Sequence, residues 1–291
     1  MKFGLSMPPF GDFANVERLA SAARSAENAG WDGFFIWDHM IYGPSFPPIP
    51  STWVALTAIA MITDRIRLGA LVTPIARRRP WNLARETVSL DHLSRGRLIV
   101  GVGLGDPVHW DFGFFGEGED ARIRAEKLDE GLDILTGLWR GHPFNYAGKH
   151  FQLDTVIFQP SSRQQPRIPI WVGGGWDKSK PMRRAARYDG FFPLKYGSYV
   201  TEYEWRTIMT TVREQRPDDD APFDWIHSGY TPGNDPNRAA EVTGHYADIG
   251  ITWWMENVDP FRFGMRVDSP WRADFTEQMM ARIQQGPPRF T

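Results

Sequence analysis

The sequence of 291 residues contains no cysteine. Disulfide bridges, thiolate nucleophiles and cysteine-based metal sites are therefore excluded. The net charge is only −2 at pH 7, so no long-range field favours nucleic acid or an acidic membrane surface as a partner. No apolar run approaches the roughly 20 residues of a membrane span, and the first ten residues lack the apolar core of a signal peptide. These absences predict a cytoplasmic protein that binds neither nucleic acid nor membrane.

Aromatic residues, in contrast, are abundant. The chain has 13 tryptophans and 19 phenylalanines, within a hydrophobic fraction of 42%. Many of these aromatic side chains must pack in the core, and a chain of this length suffices for one large core. A surplus of this kind also suits a pocket for a flat or apolar ligand.

Short apolar runs that end in glycine recur along the chain. In one of them, residues 98–102 are rich in β-branched side chains, and Gly103, Gly105 and Asp106 follow. The run is too short for a helix and fits a strand that is covered on both faces. The glycines let the backbone bend tightly above the strand end. The predicted strands are 2–7, 33–37, 66–71, 98–102, 168–172, 190–193, 224–229 and 251–255.

Helical patterns separate most of these strands. Eight strands that alternate with helices predict an α/β fold, a (β/α)8 TIM barrel, in a single domain over residues 1–291. An open doubly wound sheet is the alternative. Residues 144–153 predict a hairpin outside the repeat, as part of an insertion over about 143–167. The predicted helices are 16–30, 52–63, 80–93, 121–139, 181–188, 199–215, 236–249 and 271–284.

Polar residues follow two of the predicted strands directly. Asp38 and His39 come after the second strand, and Asp106 comes after the fourth. Side chains at the carboxyl ends of barrel strands are disproportionately catalytic, and histidine can move a proton near neutral pH or stabilise an oxyanion. In a purely structural interpretation, the Asp38 side chain caps the loop and the His39 side chain forms a hydrogen bond with a backbone group. A single histidine does not make a metal site, and we predict none.

Glycines and cations concentrate after the fifth predicted strand. Gly173, Gly174 and Gly175 precede a helix and can aim backbone N–H groups at a phosphate, or can simply form a tight turn. An earlier basic run, Arg77 to Arg79, is expected to be a solvated loop surface, with steering of an anionic cofactor tail as the alternative. Positive charge near the glycines comes from Lys178, Lys180, Arg183 and Arg184.

The loop after Asp106 is rich in aromatic residues. Its spacing fits either a strand face packed into the core or the lining of a pocket or lid. We predict a substrate pocket lined by Phe10, Trp110, Phe112 and Trp254. Phe114 and Phe115 continue the same loop.

Over most of residues 1–193, the chain resembles the bacterial luciferase-like oxidoreductases, which include monooxygenases that use flavin mononucleotide (FMN) and enzymes that use the deazaflavin coenzyme F420. The stretches that carry the resemblance are 33–39 (GFFIWDH), 66–93, 94–105 (SRGRLIVGVGLG) and 169–193. The resemblance implies a (β/α)8 barrel that holds the flavin or deazaflavin ring at the carboxyl ends of its strands.

The resemblance also assigns roles to individual residues. Asp38 and His39 match the pair that contacts the ring or its reaction site. Val72 and Thr73 match a bulge, often with a non-proline cis peptide, that supports the back of the ring. Asp106 stands where related deazaflavin sugar-phosphate dehydrogenases carry a glutamate acid. The predicted cofactor-binding set is Asp38, Val72, Thr73, Gly103, Gly105, Gly173, Gly174, Gly175 and Trp176.

The resemblance implies an oxidoreductase of a small organic substrate. The aromatic loop favours a monooxygenase with reduced FMN, because a flavin peroxide needs a dry pocket. Hydride transfer with coenzyme F420, with His39 as acid or base, is the alternative. A non-catalytic flavin-binding protein and an unrelated barrel hydrolase or isomerase are further readings. The expected partners are a separate flavin reductase and a second copy of the chain.

Overall fold

Eight strands close into a parallel barrel in the order β1-β2-β3-β4-β7-β8-β9-β10, with β10 paired to β1. The computed structural model describes residues 1–43, 47–218, 220–266 and 268–288. The closed barrel confirms the predicted (β/α)8 fold and excludes the open sheet. The strands are β1 (Lys2–Met7), β2 (Gly33–Ile36), β3 (Arg67–Pro74), β4 (Leu98–Gly103), β5 (Pro143–Ala147), β6 (Gln152–Ile157), β7 (Ile170–Gly175), β8 (Gly190–Leu194), β9 (Asp224–Gly229) and β10 (Trp253–Asn257).

Helices surround the barrel, and their ends follow local capping rules. The first helix starts where the Asn15 side chain accepts a hydrogen bond from the Arg18 N–H, and it ends at Gly30 with φ of 95°. The helices are α1 (Val16–Ala29), α2 (Thr52–Ile62), α3 (Pro80–Leu93), α4 (Val108–Asp111), α5 (Ala121–Trp139), α6 (Ser179–Ala185), α7 (Glu202–Arg213), α8 (Pro236–Asp248) and α9 (Ala273–Gln284). No helix in these described ranges is both long and apolar enough to cross a membrane.

The bore of the barrel is packed with large side chains. The ring of Trp171 lies 5.1 Å from that of Phe35 and 5.2 Å from that of Trp253, measured between ring centroids. A larger apolar cluster lies between the strands and the helices. The filled bore restricts a ligand to the carboxyl ends of the strands. The inner cluster consists of Phe35, Leu71, Ile99, Trp171, Phe192, Ile226, Trp253 and Met255.

Five strands, β3, β4, β7, β8 and β10, end later than the sequence predicts. The glycine triplet belongs to β7, where Gly173, Gly174 and Gly175 pair with Phe192, Pro193 and Leu194 of β8. Likewise β10 runs to Asn257 instead of Met255. Pairing with a neighbouring parallel strand extends each strand beyond its apolar run.

The antiparallel pair β5–β6 stands apart from the barrel as its own two-stranded sheet. It leads away from the carboxyl ends of the barrel strands and contributes no residue to the cavity described below.

Candidate active site

A cavity of about 1480 Å³ opens at the carboxyl ends of the barrel strands. Residues from β1, β3, β4, β7, β8, β9 and β10 line it, together with the loops that follow them. Leu71 and Phe192, at the top of the inner cluster, lie at its floor. The volume suffices for a cofactor and a small substrate side by side.

The floor of the cavity centres on Val72. The peptide bond between Leu71 and Val72 is cis, and the pairing of β3 with β4 shifts between Ala70 and Thr73. Leu71 belongs to the inner cluster, Val72 packs against it, and both line the cavity. Thr73, predicted as a cofactor contact, is instead fully buried outside the lining. The expected bulge is present, but its exposed member is Val72.

Two glycines leave room for this valine. A Cβ added at Gly103 would lie 2.7 Å from Cγ2 of Val72, and one added at Gly173 would lie 2.7 Å from Cγ1. Neither distance is possible without movement, so both positions require glycine while Val72 keeps its place. Val72 thus forms an apolar platform between two strands that have no side chains there.

Replacing Gly103 with alanine is expected to push Val72 into the cavity. We expect the Kd of a bound flavin or deazaflavin to rise about 10-fold or more, as overpacking of a fitted site does. Cofactor titration followed by tryptophan fluorescence measures the change. Gly118→Ala is the matched control, because an added Cβ there meets nothing within 4 Å. Equal affinity in the two variants would contradict the platform role of Val72.

His39 lies at the wall of the cavity and is held by a buried carboxylate. Its Nδ1 is 2.9 Å from Oδ2 of Asp111, and its side chain is 11% exposed while that of Asp111 is fully buried. Because a carboxylate only accepts hydrogen bonds, Nδ1 carries a proton and Nε2 remains for a ligand. The rings of Phe10 and Tyr42 pack against the imidazole. His39 is therefore fixed in both position and tautomer.

Asp111 stays ionised at its buried position. Burial alone would raise the pKa of Asp111, but the hydrogen bond with His39 and the charges of His39 and Arg77 hold this pKa below its usual range. The Met40 N–H donates a further hydrogen bond of 2.7 Å to Oδ1. The charge that faces His39 is thus maintained across the neutral pH range.

Asp38 is engaged by cations and lies at the base of the wall. Its Oδ1 accepts from Arg77 at 2.6 Å, and its Oδ2 accepts from Arg78 at 2.9 Å. Thr52 donates to Oδ1 as well. Asp38 lines the cavity, and these bonds also anchor the loop that follows β3.

The predicted solvated surface at Arg77 to Arg79 is therefore wrong for its first two members. The side chain of Arg77 is 5% exposed and bridges two buried carboxylates, with Nη2 on Asp38 and Nη1 3.1 Å from Oδ1 of Asp111. Only Arg79 lies at the exposed surface. Arg77 and Arg78 therefore build the support of His39 through Asp38 and Asp111.

Asp106 lies at the rim of the cavity. Its Oδ2 accepts a hydrogen bond of 2.7 Å from the hydroxyl of Tyr196, which follows β8. Burial and the nearby Asp106 carboxylate raise the pKa of Tyr196. The pair bridges the mouth of the cavity between two loops.

The glycine triplet and its neighbouring cations form another wall. An added Cβ at Gly174 would collide with Pro181 at the start of α6, so the triplet permits close packing of helix on strand. Of the nearby cations, Lys178 pairs with Asp177 at 2.6 Å and Arg184 pairs with Asp129. Lys180 and Arg183 are exposed, line the cavity and make no ion pair among the described residues. These two cations face the cavity free to meet an anion.

The aromatic loop does not cover the cavity. Phe112 is buried beneath the turn at Gly105, whose φ is 82° and whose added Cβ would lie 3.0 Å from the phenylalanine ring. Phe114 and Phe115 are about half exposed. Trp110 contacts the ring of Tyr42 from behind, at 5.6 Å. Neither Trp110 nor Phe112 lines the cavity, which corrects the predicted pocket.

Three other predicted contacts also lie elsewhere. Trp254 points out of the barrel, where its ring lies 5.0 Å from that of His227 and its Nε1 donates to Glu256. Burial lowers the pKa of His227 to about 3, so its ring is neutral. Phe10 is buried behind His39, and Trp176 lines a separate cavity of about 540 Å³ between α6 and α7.

Several residues that line the cavity or support its wall had no place in the sequence prediction. Asp111 lies in the loop predicted as a lid, 72 positions after its partner His39. Tyr42 lines the cavity beside His39, and burial with the charges of Asp259 and Asp106 raises its pKa to about 12. Other polar lining residues follow β9 and β10 or end them, and no sequence motif marks them. They are Ser228, Tyr230, Asn257 and Asp259.

A family model described as luciferase-like monooxygenase matches residues 1–257. Among curated proteins, an F420-dependent glucose-6-phosphate dehydrogenase from Gordonia bronchialis is 26% identical over 245 residues, which cover 80% of this chain and 70% of that protein. An uncharacterized protein from Sinorhizobium fredii is 31% identical over 158 residues, which cover 54% of this chain and 44% of that one. This chain thus matches less than half the length of the second relative.

Solved structures share the fold at low sequence identity. A monooxygenase from Streptomyces bottropensis and an F420-dependent tetrahydromethanopterin reductase from Methanopyrus kandleri each give a TM-score of 0.73 at 18% identity, covering 98% of both chains. A Baeyer-Villiger monooxygenase from Pseudomonas putida, solved in complex with FMN, gives a TM-score of 0.63 at 18% identity, covering 83% of this chain and 71% of that one. Two of these relatives are named as F420-dependent and a third was solved with FMN, and these are the two cofactors that the sequence led us to expect.

Proposed function

Since the chain belongs to the luciferase-like monooxygenase family, we propose that it transfers hydride between coenzyme F420 and a small organic substrate. The relatives described above that have named activities are dehydrogenases, reductases or monooxygenases, all of which are oxidoreductases. Within that class, two chemistries compete for this chain, and the cavity supports hydride transfer better than monooxygenation.

The observation that carries the proposal is the fixed tautomer of His39. Hydride transfer to or from a carbon that bears oxygen requires a proton to move at that oxygen. Asp111 keeps Nδ1 of His39 protonated and leaves Nε2 to exchange this proton at the cavity wall. When bound, coenzyme F420 supplies the ring carbon that gives or takes the hydride.

The cavity fits a deazaflavin in shape and charge. Val72 offers an apolar platform beside Gly103 and Gly173, which have no side chains, and a flat ring can lie against it. Coenzyme F420 continues from its ring into a phosphate and a lactyl-glutamate tail, which requires several cations. Lys180 and Arg183 supply two uncommitted ones, and the exposed pair of Lys178 with Asp177 is weak enough to exchange partners.

The main argument for a monooxygenase rested on an aromatic lid, and the lid residues lie away from the cavity. A flavin peroxide decays unless water is excluded from its surroundings. Phe114 and Phe115 are half exposed, and Phe112 packs under Gly105. The rim is instead polar, formed by Asp106 and Tyr196. This favours the chemistry that tolerates water.

Binding of the cofactor is expected to depend on salt and on the two free cations. Oxidised F420 should bind more tightly than FMN at low ionic strength, and its affinity should fall as salt screens the exposed charges. Lys180→Ala and Arg183→Ala should each weaken F420 by about 10-fold, the size of a lost charge-assisted hydrogen bond. Fluorescence titration at two salt concentrations measures each Kd.

Arg206→Ala is the matched control, because this exposed arginine lies on α7 away from the cavity. Tight FMN binding without affinity for F420 would reject the proposal in favour of an FMN monooxygenase. Binding of F420 without turnover on any substrate would favour the non-catalytic alternative. If the protein binds neither cofactor, the result would favour the barrel hydrolase or isomerase alternative.

A further inference from the structure

The cavity is divided by charge into two halves. On the side of α6, the free cations Lys180 and Arg183 face it. The rest of the cavity, which we call the substrate half, is formed by residues near or just after the carboxyl ends of β2, β8, β9 and β10. They are His39, Lys195, Ser228, Tyr230, Asn257 and Asp259. A ligand group bound in the substrate half meets a different electrostatic environment from the cofactor tail.

The one lysine of the substrate half is already neutralised. Both carboxylate oxygens of Glu204 accept from Nζ of Lys195, at 2.7 and 2.9 Å. The two side chains are only 20% and 15% exposed. Glu204 is itself fixed by the Thr201 N–H, within the capping box that starts α7. The ion pair is therefore part of the scaffold and not a loose surface contact.

A carboxyl group faces the same half. Asp259 is 3% exposed and lines the cavity, and it accepts hydrogen bonds from the Tyr230 hydroxyl and the Arg262 N–H. Burial raises the pKa of Asp259 despite these hydrogen bonds. The charge of Arg262 compensates this effect only in part, since the guanidinium donates its own hydrogen bonds to Glu256 and a backbone carbonyl.

The burial that raises the pKa of Asp259 would also disfavour a second negative charge beside it, and the ionised carboxylate would repel such a group. An anionic group in the substrate half would also find the charge of Lys195 cancelled. A hydroxyl or carbonyl group would find suitable partners, because Ser228, Tyr230 and Asn257 offer both donors and acceptors. Discrimination follows from charge, because a phosphate or carboxylate would lose its hydration shell without gaining a counterion.

We infer that the substrate is an uncharged alcohol or the corresponding aldehyde or ketone, and not a phosphate ester or a carboxylate. This inference rests on the proposed hydride transfer. In the oxidative direction, the carbon that bears the hydroxyl loses hydride to oxidised F420, and the hydroxyl proton passes to Nε2 of His39. The C–H and O–H bonds break, and the second C–O bond of the carbonyl forms.

The test uses protein saturated with oxidised F420, so that the cofactor site is not available to phosphate. Isothermal titration with glucose 6-phosphate is expected to give no binding to the unaltered protein. Glu204→Gln releases Lys195 and should raise the affinity for glucose 6-phosphate by about 10-fold or more. Asp259→Asn removes the opposing carboxyl and should shift the affinity in the same direction.

Glu202→Gln is the matched control, since Glu202 lies exposed in the same first turn of α7 and outside the cavity. It should bind glucose 6-phosphate no better than the unaltered protein. Tight binding by the unaltered protein, or no gain in either Glu204→Gln or Asp259→Asn, would overturn the inference. If F420 itself fails to bind, the proposed function is rejected, and the same titration on FMN-saturated protein still tests the charge argument.

Discussion

Replacing His39 with alanine is expected to lower turnover with F420 by about 10²–10⁴-fold, the usual contribution of a general acid or base. The cofactor Kd should move much less, because in the proposed binding mode the ring would lie on Val72 and the tail would meet Lys180 and Arg183. Stopped-flow absorbance near the deazaflavin band gives the turnover rate, and fluorescence titration gives the Kd.

Asp111→Asn tests whether His39 acts through a fixed tautomer. An asparagine of equal size keeps a hydrogen-bonding group at Nδ1 but removes the charge and no longer fixes the tautomer. Loss of an orienting carboxylate beside a catalytic histidine can lower turnover by up to about 10⁴-fold. The loss should come with a changed pH profile of turnover, which a purely structural defect would not produce. Unchanged turnover in His39→Ala, with only a weaker Kd, would make His39 a binding residue and refute the proton-transfer role.

The barrel could be predicted because its strands are short apolar runs that end in glycine, a pattern set by burial on both faces. The sequence also predicted that residues immediately after a strand face the site, and His39 and Asp106 do line the cavity. Local sequence carries this information because strand ends in a barrel share one edge.

The hydrogen-bond and ion-pair partners of the site residues could not be identified from the sequence. Asp111 reaches His39 across 72 positions, and Arg77 looked like part of a solvated basic run because nothing local marks its two buried carboxylates. Long-range pairing depends on the closed barrel, which brings the loops after β2, β3 and β4 together.

The sequence also did not show which side chains of a strand face the bore and which face the helices. Trp253 and Trp254 are adjacent, and their side chains point to opposite faces of β10. Composition alone does not say which of them faces inward. The inward residue is Trp253, which packs on Trp171 in the bore, while Trp254 meets the outer helices. An aromatic surplus therefore predicts a filled core as readily as it predicts a pocket.

Replacing Arg77 with alanine is expected to destabilise the fold by about 3–5 kcal/mol, the cost of leaving buried charges without their partner. Arg77 lies 2.6 Å from Asp38 and 3.1 Å from Asp111, and the side chains of those carboxylates are 3% and 0% exposed. Denaturant unfolding followed by tryptophan fluorescence measures the loss. Arg79→Ala is the matched control from the same run, because Arg79 is exposed. A loss in Arg77→Ala no larger than in this control would show that the two carboxylates do not need the arginine.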